Sequence, residues 1–111
     1  MFILVACIGC AGSPSDRPAD WSYVHAAVIA PNCATSSCHS ERAAIAGVVL
    51  DDPDRAYRVL LDRQYVIPAD PASTLLQLLE GDERTRMPPD APLPAADIEL
   101  VRAWIEQGAL R

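Results

Sequence analysis

The sequence predicts a small, mainly α-helical domain of four to five helices joined by long loops. Two observations carry this. Apolar residues recur at helical spacing in several separate segments, and no segment alternates apolar and polar residues as a half-buried strand does. Between those segments, ten prolines and five glycines mark stops and turns. The 111 residues suit one domain. A core this small is usually supplemented by a disulfide, a metal or a cofactor.

The elements follow in order. Trp21, Val24 and Val28 share one helical face after Asp20, and Pro31 is expected to end that run. Residues 41–47 (ERAAIAG) suggest a short helix stopped by Gly47. A further helix is expected to begin near Asp52 to Asp54, with Val59, Leu60 and Leu61 inside it. In DPASTLLQLLEGD, Pro71 lies near the start, Leu75, Leu78 and Leu79 share a face, and Gly81 is the stop. The proline-rich loop RMPPDAPLP leads to the closing segment AADIELVRAWIEQGA. There Ile98, Val101 and Ile105 form one stripe, with Leu100 and Trp104 beside it and Gly108 as the C-terminal stop.

Charge narrows the functional classes. Fifteen acidic residues face nine arginines and no lysine, for a net charge of −6. With no basic patch, nucleic acid is not an expected partner. The dispersed acids read as a solvated surface, with a preference for basic partners at low salt as a weaker inference.

The N-terminus has its own composition. Phe2 to Ile8 is apolar but far too short to cross a bilayer as a helix, and it lacks the basic start of a complete signal peptide. Leu4-Val5-Ala6-Cys7 is similar to the bacterial lipobox, whose cysteine is lipidated. Cys10 fits that box less well. Residues 1–10 are therefore read as a truncated export and lipoprotein signal, 11–19 as a flexible tether and 20–111 as the folded domain. The expected location is outside the bacterial cytoplasm, periplasmic or anchored at the outer membrane, with membrane contact only through the lipid at Cys7.

The chemistry centres on PNCATSSCHS, residues 31–40. Two thiols followed at once by an imidazole are the arrangement for covalent haem. The thiols add to the two vinyl groups, and the chain leaving the second brings the histidine to the iron. The usual spacing is C-x-x-C-H, whereas Cys33 and Cys38 are separated by Ala34, Thr35, Ser36 and Ser37 before His39. The vinyl separation is fixed, so the longer loop must bulge outward, which small residues allow. Three other arrangements compete. A Cys33–Cys38 disulfide suits an exported protein but closes too short a loop to stabilise much. Zinc would need four ligands, and only His25 is left to join the trio. Redox-active thiols are expected at the C-x-x-C spacing.

A second haem ligand has two candidates. Met87 sits between Arg86 and the stiff Pro88-Pro89 pair, where a core-filling methionine is not expected. His25 lies only eight residues before Cys33, at the edge of a helix face, and reads as an ordinary packing histidine. No Ser–His–acid arrangement and no Gly-rich phosphate loop is present, so the chain does not read as an enzyme.

From about Asp20 to Gly108 the chain resembles a bacterial c-type cytochrome domain of the planctomycete type, a small exported cytochrome. The matching pieces are the helix entering PNCATSSCH, then AGVVLDDPDRAY, VIPADPASTLLQLLEGD, RMPP and DIELVRAWIEQGA. The resemblance implies a cytochrome c-like fold around one haem c joined to Cys33 and Cys38. His39 would be the proximal iron ligand and Met87 the distal one. It also implies single-electron transfer with redox partner proteins. The His39 nitrogen that is not on iron is expected to donate to a backbone carbonyl. The first and last helices are expected to pack near the haem edge, with Trp21 and Trp104 as anchors. The alternative is an exported helical interaction domain without haem, held by a Cys33–Cys38 disulfide.

Overall fold

A computed structural model describes residues 17–111, which form four helices and no strand. The expected mainly α fold is the observed one. Cys7, the export signal and most of the tether lie outside the described residues. Arg17, at the end of that tether, donates to Asp97 at 2.6 Å and to the Tyr23 hydroxyl at 3.0 Å, tying the chain's entry to the closing helix.

Helix α1 covers residues 21–33. The Asp20 carboxylate accepts from the Tyr23 amide and so caps one of the unpaired N–H groups of the first turn. The helix does not end at Pro31. It passes through a π turn at His25–Ile29 and continues as Ala30–Cys33. Proline lacks an N–H and crowds the preceding turn in an α-helix, and the wider π turn removes that conflict. Within that stretch the Ala30 amide reaches back to the His25 carbonyl. The Asn32 side chain donates to the Val28 carbonyl at 2.8 Å. Extending the helix matters for the site, because it makes Cys33 a helical residue.

Residues 41–47 do not form the short helix expected from composition. Only Ile45–Gly47 makes a 3₁₀ turn, and Ala44, Ala46 and Gly47 all take positive φ (42°, 56° and 70°). L-alanine in that region costs about 1 kcal/mol or more. Several hydrogen bonds hold the turn. The Ala44 amide donates to Ser40, the Ile45 amide to Cys38, and an Arg63 N–H donates to the Ala46 carbonyl at 3.0 Å.

Helix α2, Pro53–Asp62, begins where expected. Asp52 caps the Arg55 amide, and Pro53 occupies the first turn, where a missing N–H costs nothing. Helix α3, Thr74–Leu79, starts three residues after Pro71. Ser73 precedes it without capping it. Its fully buried hydroxyl donates to the Asp70 carbonyl at 2.8 Å and accepts from the Ile67 amide at 3.0 Å, fixing the preceding loop. Helix α4, Ala95–Glu106, buries Leu100, Val101, Trp104 and Ile105. The stop is at Gly108, whose φ of +111° suits glycine alone.

Helix α4 packs on α1 and on α3. At the α1–α4 contact the Trp21 and Trp104 rings lie 4.9 Å apart, with Tyr57 edge-on to both at 5.8 and 6.4 Å. Each polar tip has a partner. Trp21 Nε1 donates to the Pro53 carbonyl, Trp104 Nε1 to that of Leu110, and the Tyr57 hydroxyl to that of Ala109. The two tryptophans are the expected anchors, but neither lines the cleft described next.

Candidate haem-binding cleft

The cleft is built from two loops laid against two helices. The end of α1 delivers Cys33. The four residues after it turn outward, with Thr35, Ser36 and Ser37 exposed. The turn closes through the Cys38 amide to the Thr35 carbonyl and the His39 amide to the Cys33 carbonyl, both at 3.0 Å. The widened spacing is thus absorbed as an outward bulge, leaving Cys33, Cys38 and His39 together on its inner side.

Met87 comes from the other direction. Its amide donates to the Leu78 carbonyl at 2.9 Å, which pins the proline loop to the end of α3. Gly81 permits the tight return. A Cβ there would lie 2.7 Å from the Thr85 hydroxyl and 3.2 Å from the Arg86 amide nitrogen. The Met87 side chain is 40% exposed, as expected of a group at the mouth of a cleft rather than in a core.

These pieces enclose two adjoining lobes of about 240 and 140 Å³. Together they fall at the lower end of the roughly 300–1,000 Å³ typical of small-molecule and cofactor clefts. Cys33, His39 and Met87 border both lobes, and Cys38 borders the first. Asn32, Ile45, Pro88 and Pro89 complete the first, while Ala46, Val48, Leu50, Leu60, Tyr65, Leu75, Leu78 and Leu79 wall the second. The lining is almost wholly apolar. All four residues singled out from the sequence as cofactor ligands therefore border one cleft.

The imidazoles have different settings. His39 Nδ1 pairs with the Val48 carbonyl at 3.2 Å, which leaves Nε2 as the nitrogen open to a ligand. This supplies the carbonyl the sequence left unnamed. His25 is buried, its Nε2 pairs with the Leu50 carbonyl at 2.8 Å, and its ring lies 5.4 Å from that of Trp21. It is a core histidine that braces the second lobe from behind, through Leu50.

Cys33 and Cys38 are both free thiols. Burial pushes the Cys33 thiol up to about 11, and the neighbouring Cys38 adds to the shift, so Cys33 is an uncharged thiol near neutral pH. Among the described residues no three His, Cys, Asp or Glu side chains converge as a metal-ion site. The fourth ligand that zinc would need beside Cys33, Cys38 and His39 is the His25 ring, which is turned to the Leu50 carbonyl. The donor set instead suits haem. It offers two thiols, an imidazole with its outer nitrogen engaged, a soft thioether and apolar walls.

Sequence reasoning did not assign Val48 and Leu50 to the site, and it placed Leu75, Leu78 and Leu79 on one helical face without making that face a wall of the cleft.

Fold and cleft together define a small all-helical domain built around an apolar cofactor site. A family model described as planctomycete cytochrome C matches residues 36–91, half of the chain, and the protein belongs to that family. Cytochromes c are haem proteins of electron transfer. The matched span includes Cys38, His39 and Met87. Cys33 and the closing helix lie outside it. No curated protein and no solved structure matches the chain.

Proposed function

We propose that the protein is a mono-haem c-type cytochrome that carries single electrons. Cys33 and Cys38 hold the haem through thioethers, His39 is the proximal iron ligand and Met87 the distal one. The observation that carries this reading is the meeting of these four side chains at one apolar cleft. Bound haem supplies a one-electron change at its iron. The rest falls to the chain. Val48 holds the His39 tautomer that presents Nε2, and its carbonyl makes the ring a better donor. The Met87 thioether, soft and uncharged, favours the reduced state. The apolar walls keep water away and the local dielectric low, so little solvent must reorganise when charge changes.

The direct test replaces both Cys33 and Cys38 by alanine in protein made with a periplasmic haem-attachment system. The expected result is no haem surviving acid–acetone extraction, because no other described thiol stands beside a histidine. Haem that resists extraction in this variant shows that these thiols are not the attachment points.

The proposal extends to location. The protein is exported and tethered by a lipid at Cys7, with a redox protein rather than a small substrate as its partner. Among the described residues no helix is long and apolar enough to cross a membrane. Produced behind a complete export signal, Cys7 is expected to be acylated. Two chains would anchor it stably where one gives only marginal binding. Metabolic labelling with a fatty-acid analogue checks this, and a label that persists in Cys7→Ala rules the site out.

A further inference from the structure

The loop that presents Met87 has a structural problem that Arg86 solves. Pro88 and Pro89 have no N–H, so the backbone of the turn has few donors with which to close itself. Among the described residues no backbone amide reaches the carbonyl of either proline. The Arg86 side chain supplies the missing donors. Its Nε donates to the Pro88 carbonyl at 3.3 Å and its Nη2 to the Pro89 carbonyl at 3.2 Å. The guanidinium thus ties the residue before Met87 to the two after it. Arg86 is anchored in turn, because its own amide donates to the Asp82 carbonyl at 2.8 Å and its backbone closes on Gly81.

From this geometry we propose that Arg86 is a positioning residue for the Met87 thioether, a clamp that holds the sulfur-bearing loop closed over the cleft. The inference rests on the reading of Met87 as the distal ligand. Only a forked donor performs it. Arginine presents several N–H groups in one rigid plane, whereas lysine concentrates its charge on a single nitrogen and glutamine offers one amide nitrogen. Loosening the clamp leaves the ligand in place but lets it leave more often, which exposes the iron to competing ligands.

The test uses the haem-loaded, ferric protein and added imidazole as the competing ligand. Arg86→Gln and Arg86→Lys are each expected to bind imidazole roughly tenfold more tightly, about the effect of losing charge-assisted hydrogen bonds. Both are expected to weaken the far-red sulfur-to-iron band. Hydrogen exchange should quicken at the Met87 amide but not at Val101 in the closing helix, as a general loss of stability would require. Arg84→Gln, which removes a nearby cation and no clamp, is the control expected to match the unmodified protein. The proposal is overturned if Arg86→Gln stays within about twofold of the unmodified protein, if lysine restores it fully, or if Arg84→Gln has the same effect. A far-red band that is present, needs Met87 and ignores Arg86 removes the clamp alone. A band missing from the unmodified protein removes the Met87 assignment and the clamp with it.

Discussion

Replacing Met87 with alanine is expected to lower the reduction potential by on the order of 0.1 V or more, within the roughly 0.8 V over which axial ligands tune haem proteins. A thioether is a soft, neutral donor that favours ferrous iron. Losing it leaves water or an added ligand in its place. Two further changes should accompany the shift: loss of the far-red band of the ferric form, and new binding of cyanide or carbon monoxide. His25→Ala is the informative comparison. Its ring is buried and hydrogen-bonded to Leu50 behind the cleft wall. It should cost stability, about 1–3 kcal/mol for a lost buried hydrogen bond, and leave the far-red band intact. Potentiometry with visible spectroscopy on the two variants reads all of this. A band that disappears with His25 rather than Met87 reverses the distal assignment.

The second large effect concerns stability. Trp104 is 1% exposed, packs on Trp21 at 4.9 Å and donates to the Leu110 carbonyl. Trp104→Ala is expected to cost about 3–5 kcal/mol, the range for emptying a large aromatic site. Domains of this kind are stable by only about 5–15 kcal/mol. At the lower end of that range the haem-free variant would keep only about 0–2 kcal/mol. Denaturant titration of the haem-free protein, followed by circular dichroism, measures it. A loss under about 1 kcal/mol would mean that the α1–α4 contact is not the centre of the fold. Neither tryptophan borders the cleft, so the effect on spectrum and potential should be small once haem is in place.

How much of this was legible in the sequence depended on whether the deciding interaction was local. Helix α4 was, because its apolar stripe and Gly108 stop lie within one segment. So was the start of α2, where Asp52 and Pro53 are cap and first turn in direct succession. The continuation of α1 past Pro31 was not. Proline's ordinary effect is to stop a helix, and the π turn that accommodates it leaves no mark in composition. The 41–47 turn failed for a related reason. Alanine favours helix, but tertiary hydrogen bonds from Arg63 and to Cys38 hold two alanines left-handed.

The four candidate side chains stood out in the sequence because thiols, imidazole and thioether are rare and chemically distinct. Their convergence did not, since it needs Leu78 to hold the Met87 amide across nine residues. The reading of His25 as a packing histidine matches its buried place beside Trp21, and only its partner, the Leu50 carbonyl, lay beyond the sequence.

The central claim is that one haem is covalently held at Cys33 and Cys38. It is tested most directly by intact mass together with a pyridine haemochrome spectrum of the unmodified protein, made with a periplasmic haem-attachment system. The account predicts the mass of the chain plus one haem, and a haemochrome band at the position set by two saturated vinyl groups. A mass without haem, with peptide mapping that finds Cys33 joined to Cys38, would contradict it, because the two thiols would then be joined to each other and not to haem.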